Sequence, residues 1–236
     1  MALIGILGGM GPLATVDFME RVVQLTSTAG AQRDQQHLPL LVANLTHIPD
    51  RSAAMLGAGE DPLPALLGGI DMLNRNGVEL IAVPCNSAHF WYGAMCARSR
   101  APILNIAQTC VAAVPPGACN VAVLATGGTL HCGLYQRVLT EHGAAPVEPE
   151  EGTQRLIDAC IDAVKAGEIE HAAHHLSAAL TDLTARGAQA AIMGCTEIPL
   201  AARMLRSSPM PLVDSTLELA RATVSYGLAR GWNVQR

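Results

Sequence analysis

Aromatic side chains are nearly absent: two Phe, two Trp and three Tyr make up 3% of the 236 residues. A core built without them must rest on Ala, Leu, Val and Ile, a composition that favours parallel strands buried on both faces by helices. Charge is also sparse, at 15%, with a net value of −5. No basic cluster stands against that balance, so the electrostatic footprint of a nucleic-acid binder is missing. No apolar run approaches the roughly 18 to 20 residues needed to span a bilayer. The N-terminus reaches Gly8-Gly9 without a basic residue, which is not the pattern of a secretory signal. The seven cysteines are odd in number, and their spacing matches neither a disulfide framework nor paired zinc knuckles. These absences describe a reduced, cytoplasmic protein that meets neither nucleic acid nor membrane.

What is present is an alternation of short apolar runs and helical patterns, which implies α/β architecture with parallel sheets. Strands are expected at 3–7, 40–45, 79–84, 102–104, 120–125, 190–193 and 212–213. Gly8-Gly9-Met10-Gly11 turns the first strand into a helix that opens on Pro12, where a missing N–H costs nothing. The segment 46–61, with Pro49, Gly57 and Gly59, reads as a long loop of the kind that lines binding sites, and it carries Arg51. A helix over 63–76 stops at Gly77, and Ile169, Ala173, Leu176, Leu180 and Leu183 mark an amphipathic helix. Pro115-Pro116-Gly117 and Ser208-Pro209-Met210-Pro211 are strong breaks. They divide the chain into a first domain of 1–116 completed by 211–236, and a second of 117–210. Ser215-Thr216-Leu217-Glu218 has the capping-box pattern for a final helix.

Two passages carry the chemistry. An apolar run ends at Pro84-Cys85-Asn86-Ser87-Ala88-His89, and another at Gly194-Cys195-Thr196-Glu197. Each presents a thiol beside a hydroxyl residue where a strand gives way to a helix. Ligands of parallel sheets bind beyond the strands' carboxyl ends, and helix starts and nearby donors favour thiolate, a usable base. Buried free cysteine is more often a small hydrophobe, and Cys96, Cys110, Cys119, Cys132 and Cys160 are read that way. Gly9-Met10-Gly11-Pro12-Leu13-Ala14 fits a dinucleotide fingerprint in form, but the second strand ends at Asn44-Leu45 without the acid that would hold a ribose. A tight strand-to-helix turn is the better reading. His171, His174 and His175 share a helical face without an H-E-x-x-H motif, so no metal site is expected.

Five motifs in order resemble the aspartate/glutamate racemase family. They are Gly8-Gly9-Met10-Gly11-Pro12-Leu13-Ala14-Thr15, Pro49-Asp50-Arg51, the Cys85 passage, Ala125-Thr126-Gly127-Gly128-Thr129, and the Cys195 passage continued by Ile198-Pro199-Leu200. The Gly-Cys-Thr-Glu form of the second cysteine motif is similar to aspartate racemases, whereas glutamate racemases carry Gly-Cys-Thr-His. The resemblance implies two similar parallel-sheet α/β domains related by a pseudo-twofold, a site in the cleft between them, a homodimer, and no cofactor. Cys85 and Cys195 would be the two acid/bases, and an amino acid, aspartate first, the substrate. By family match, Met10, Asn86, Ser87, Thr126, Thr129 and Thr196 would surround the substrate, with Arg51 and Lys165 on its distal carboxylate and Glu197 modulating Cys195. Two alternatives stand beside this: a maleate-type cis–trans isomerase of the same fold, and a non-catalytic dinucleotide- or ligand-binding domain.

Overall fold

The computed structural model describes residues 2–233. The chain divides into two compact units: the residues up to Ile106 together with those from Thr216 onward, and Ala107–Ser215. Each holds one fully parallel sheet.

In the first unit β1 (Ile4–Gly8) is buried at every residue, as a central parallel strand must be. At Gly9 the backbone takes φ +95° and a Cβ would run into the Leu45 backbone, so the turn requires glycine. α1 (Pro12–Thr28) follows with Pro in its first turn. β2 (Leu40–Asn44) leads into α2 (Arg51–Met55), a short helix inside the expected loop. It forms because the Asp50 carboxylate caps it, accepting the Ala53 N–H at 2.7 Å. α3 (Leu63–Arg75) buries Leu66, Ile70 and Leu73. Next come β3 (Leu80–Ala82), a 3-10 turn over Ser87–Trp91, and α4 (Tyr92–Arg98). The sheet order is β2-β1-β3, and Ile103 adds a single parallel bridge to Ile81 in place of the expected strand.

The second unit takes over inside α5 (Ile106–Val111). Ile106 packs with Ile4, Ile6 and Leu80, whereas Ala107, Cys110 and Val111 pack with Val121 and Val123. The chain therefore passes between units about ten residues before the Pro115-Pro116-Gly117 break. β4 (Asn120–Leu124) is followed by two helices, α6 (Gly127–His131) and α7 (Leu134–Glu141). Gly133, at φ +64°, separates them. The edge strand β5 (Ala145–Val147), α8 (Glu151–Ala166), α9 (Ile169–Ala185), β6 (Ala190–Met193) and α10 (Ile198–Ala202) complete the run. β5 goes unanticipated because three residues with a central Pro146 carry no strand signal. β7 (Leu212–Asp214) pairs with β6 through Ile192↔Val213. It closes the second sheet, β5-β4-β6-β7, so the return comes after Ser215 rather than at residue 211. α11 (Ser215–Leu228) then lays Leu219, Ala220 and Val224 against Ile4, Ile6 and Phe18 of the first unit.

The two sheets share a connectivity. β2-β1-β3 and β5-β4-β6 have the same order: an opening strand with a glycine-bearing turn, an edge strand, then a strand that ends at a cysteine.

Candidate active site

In the first unit the Cys85 turn leaves β3 and enters the 3-10 turn. The continuous helix expected after the cysteine is absent. Five residues of 3-10 geometry intervene, so the thiol precedes a tight turn rather than a long helix dipole. Cys85 and Asn86 are buried, each 3% exposed. The Cys85 N–H donates to the Val83 carbonyl at 2.8 Å, and its Sγ lies 3.4 Å from the Ser87 hydroxyl. α2 packs against this 3-10 turn, which brings the Arg51 helix beside the segment that follows Cys85. The guanidinium is anchored to main chain: Nη1 donates to the carbonyls of Pro49 (2.9 Å) and Ile48 (3.2 Å), and Nη2 to that of Met10 (3.4 Å). Its Nε is buried and has no hydrogen-bond partner among the described residues. Met10 and Cys85 belong to one apolar cluster, so the structure brings Met10, Arg51, Cys85, Asn86 and Ser87 into one neighbourhood.

His89 completes that neighbourhood. It is buried against Tyr92, with ring centroids 5.7 Å apart. Its ring nitrogens meet the Cys85 carbonyl and the Ile106 N–H. Burial pushes its pKa down, partly opposed by the carbonyls of Cys85 and Leu104.

In the second unit the turns after β4 and β6, adjacent strands, carry the polar groups. Thr126 caps α6, its hydroxyl 3.2 Å from that of Thr129 and accepting the Thr129 N–H. The Cys195 thiol donates to Glu197 Oε2 at 3.0 Å, and the Thr196 hydroxyl donates to the same oxygen at 3.1 Å. Burial raises the Cys195 pKa well above that of a free thiol, and the adjacent Glu197 carboxylate raises it further. Lys165 pulls the other way. It projects from α8 with its side chain 53% exposed, 3.9 Å from Asp162. Gly194 lets the turn close, since a Cβ there would lie 3.1 Å from the Tyr135 ring and 3.3 Å from both Ala125 and the Leu124 carbonyl.

Sequence reasoning missed two supports of these turns. Gln154 Nε2 donates to the Ala125 carbonyl at 3.0 Å, and the buried Ser215 hydroxyl donates to the Met193 carbonyl at 2.7 Å. Both come from distant elements and bond to main chain, which leaves no local signature. The rings of His171 and His175 stack 5.0 Å apart on α9. Among the described residues no group of three or more His, Cys, Asp or Glu could hold a metal ion. No described helix is long and apolar enough to cross a membrane.

A half-site of this kind, thiol plus hydroxyl and amide donors at a strand's carboxyl end, suits proton transfer at a carbon whose neighbouring oxygens gain charge. The glycine turn suits a dinucleotide less, because β2 ends at Asn44.

Comparison with known proteins bears on which chemistry this is. A family model described as Asp/Glu/hydantoin racemase matches residues 7–223. The broad specificity amino-acid racemase RacX of Bacillus subtilis is 28% identical over 230 residues, which cover 96% of this chain and 99% of that one. A glutamate racemase of Deinococcus radiodurans is 30% identical over 204 residues, covering 81% and 68% respectively. Among solved structures, the Picrophilus torridus aspartate racemase is similar with a TM-score of 0.82 and 27% identity, over 99% of this chain and all of that one.

Proposed function

The chain belongs to the Asp/Glu/hydantoin racemase family, and from that premise we propose that it interconverts L- and D-aspartate by proton transfer at Cα. Cys85 and Cys195 serve as the two acid/bases, one on each face of Cα, without pyridoxal phosphate or a metal. The observation that carries this reading is the repeated connectivity, in which each sheet ends its third strand at a cysteine with its own polar partner.

Two thiols are needed for a stereochemical reason. A single base that returns its own proton to the same face restores the starting enantiomer. One sulfur removes the α-proton as thiolate, forming a carbanion delocalised onto the carboxylate, and the other delivers its S–H proton to the opposite face. The pair must enter in opposite protonation states, which differing environments supply. A carboxylate at 3.0 Å keeps Cys195 as thiol, whereas Cys85 faces a neutral hydroxyl. On this reading Cys195 is the proton donor of the resting enzyme. Glu197 is then a positioning residue for the Cys195 proton. Asn86, Ser87, Thr126, Thr129 and Thr196 stabilise the substrate carboxylate as charge develops on it.

The buried, unpartnered Nε of Arg51 favours an acidic side chain. A buried donor left unmade costs about 1–3 kcal/mol, and a carboxylate supplies the missing acceptor. Lys165, whose side chain is 53% exposed, would add long-range attraction. The working form we propose is a homodimer in the cytoplasm.

The test is incubation with L-aspartate in D2O without added cofactor, following the α-proton by NMR and the enantiomers by chiral chromatography. Racemisation gives α-deuteration and a 1:1 mixture. No exchange with aspartate, glutamate or neutral amino acids would sink the reading. Conversion of maleate to fumarate would instead favour the cis–trans isomerase, and NAD binding without turnover the ligand-binding domain.

A further inference from the structure

His89 lies next to the proposed chemistry without taking part in it, and its hydrogen bonds are directional. The Ile106 N–H can only donate, and it points at Nε2 from 3.2 Å. The Leu104 carbonyl lies 3.3 Å from the same nitrogen, but the shorter contact of Nδ1 to the Cys85 carbonyl, 2.8 Å, takes the one proton of the neutral ring, and Nε2 keeps the lone pair that accepts from Ile106. The Cys85 N–H is already committed to Val83. Both main-chain polar groups of the cysteine are thus held, and the sulfur has only its χ1 rotation left. The same ring fixes Ile106, the last residue before the chain passes into the second unit.

We propose that His89 is a positioning residue for Cys85: its Nδ1–H clamps the Cys85 carbonyl and thereby sets the place of the thiol. The proposal rests on the reading of Cys85 as one of the two bases. Its physical basis is the steep dependence of proton transfer on geometry, where a misplacement of about 1 Å costs about 10²-fold. Without the imidazole the buried carbonyl loses its donor and the 85–86 peptide gains freedom to rotate, carrying the sulfur with it.

Two variants separate clamping from mere filling of space. An Asn amide reaches where Nδ1 lies, and a Gln amide reaches where Nε2 lies. His89→Asn keeps a donor for the Cys85 carbonyl and gives up the Ile106 acceptor; His89→Gln does the reverse. Clamping predicts that His89→Gln lowers kcat by about 10- to 100-fold with KM nearly unchanged, while His89→Asn stays within about threefold of wild type. The rate of Cys85 alkylation by iodoacetamide, read on its peptide by mass spectrometry, should shift in His89→Gln and not in His89→Asn. Equal losses of kcat in both, or an unaffected His89→Gln, would overturn the proposal.

Two further readouts keep it falsifiable without activity. In 15N-histidine NMR of the wild-type protein, His89 should show the Nδ1-protonated tautomer, and a proton on Nε2 instead would overturn the clamp even if His89→Gln fails to fold. If the wild type shows no α-exchange, the racemase reading fails by itself, while the Cys85 alkylation rates still decide whether His89 places the thiol.

Discussion

Replacing Glu197 by Gln should make the Cys195 thiol easier to ionise, while burial, the larger cause of its raised pKa, stays in place. The substitution keeps an oxygen acceptor near Sγ and removes only the charge. At the observed 3.0 Å, a thiolate and a carboxylate repel by about 5.5 kcal/mol at an effective dielectric of 20 and about 1.4 kcal/mol at that of water. Both residues are partly exposed, so screening places the effect towards the lower figure. Since each 1.4 kcal/mol is a factor of ten, the thiolate fraction at fixed pH should rise at least about tenfold. The sign follows from the cause: removing a like charge favours the charged form, so the thiol ionises at lower pH. Iodoacetamide alkylation of the Cys195 peptide, followed against pH, reads this directly. The alkaline limb of kcat/KM, which reports loss of the donor proton, should move to lower pH in step. An alkylation curve that superposes on the wild type would refute the claim that Glu197 holds the proton on Cys195.

Cys85→Ser and Cys195→Ser should each lower racemisation by about 10²- to 10⁴-fold, the usual worth of a general acid or base; near-normal rates in either, by chiral chromatography, would end the two-thiol mechanism. Arg51→Ala should cut kcat/KM for aspartate by about 10- to 150-fold, the equivalent of about 1.5–3 kcal/mol for a hydrogen bond to a charged group, and leave alanine nearly unaffected. Gly194→Ala forces a methyl to 3.1 Å from the Tyr135 ring and should cost about 1–3 kcal/mol in denaturant unfolding. Stability should also fall on acidification. His89 has a lowered pKa in the fold, so its neutral form stabilises the protein above the unfolded value of about 6.5, and that contribution is lost as pH drops below it, by at most about 1.4 kcal/mol per pH unit. His89→Asn should flatten that slope in urea titrations between pH 7.5 and 5, because it removes a group that binds its proton in the unfolded chain and not in the fold.

The strands at Ile4–Gly8, Leu40–Asn44, Asn120–Leu124 and Ala190–Met193 were legible because buried parallel strands are apolar at every position, and no tertiary partner is needed to see that. Gly77 and Gly187 likewise mark helix ends through φ values of +67° and +88° that the sequence can anticipate. What was not legible depends on pairing or on packing. Pro115-Pro116-Gly117 looks like a boundary, yet the units divide where Ile106 chooses one apolar cluster and Ala107 the other. β7 belongs to the second sheet only because Val213 meets Ile192. The Arg51 guanidinium, a carboxylate grip in the linear reading, spends most of its donors on the carbonyls of Met10, Ile48 and Pro49. Only the fold shows that the buried Nε is among the donors left over.

The repeated connectivity would by itself suggest two equivalent thiols, but their neighbours differ, and thermodynamics limits what that difference can do. L- and D-aspartate are equal in free energy, so the equilibrium constant is one and kcat/KM must be the same in both directions. The Glu197 carboxylate therefore cannot bias the product. It can only decide which protonation state of the enzyme is populated, and so how each direction divides between KM and kcat. On the proposed mechanism, with Cys195 protonated at rest, the enantiomer whose α-proton faces Cys85 reacts at once. The other must wait until the Cys195 proton is passed back, by turnover or through solvent. At saturating substrate this return step becomes visible for one enantiomer first. Removing the Glu197 charge should shrink the difference between the two kcat values and leave the two kcat/KM values equal to each other. A lasting inequality of kcat/KM between the enantiomers would be inconsistent with any racemase.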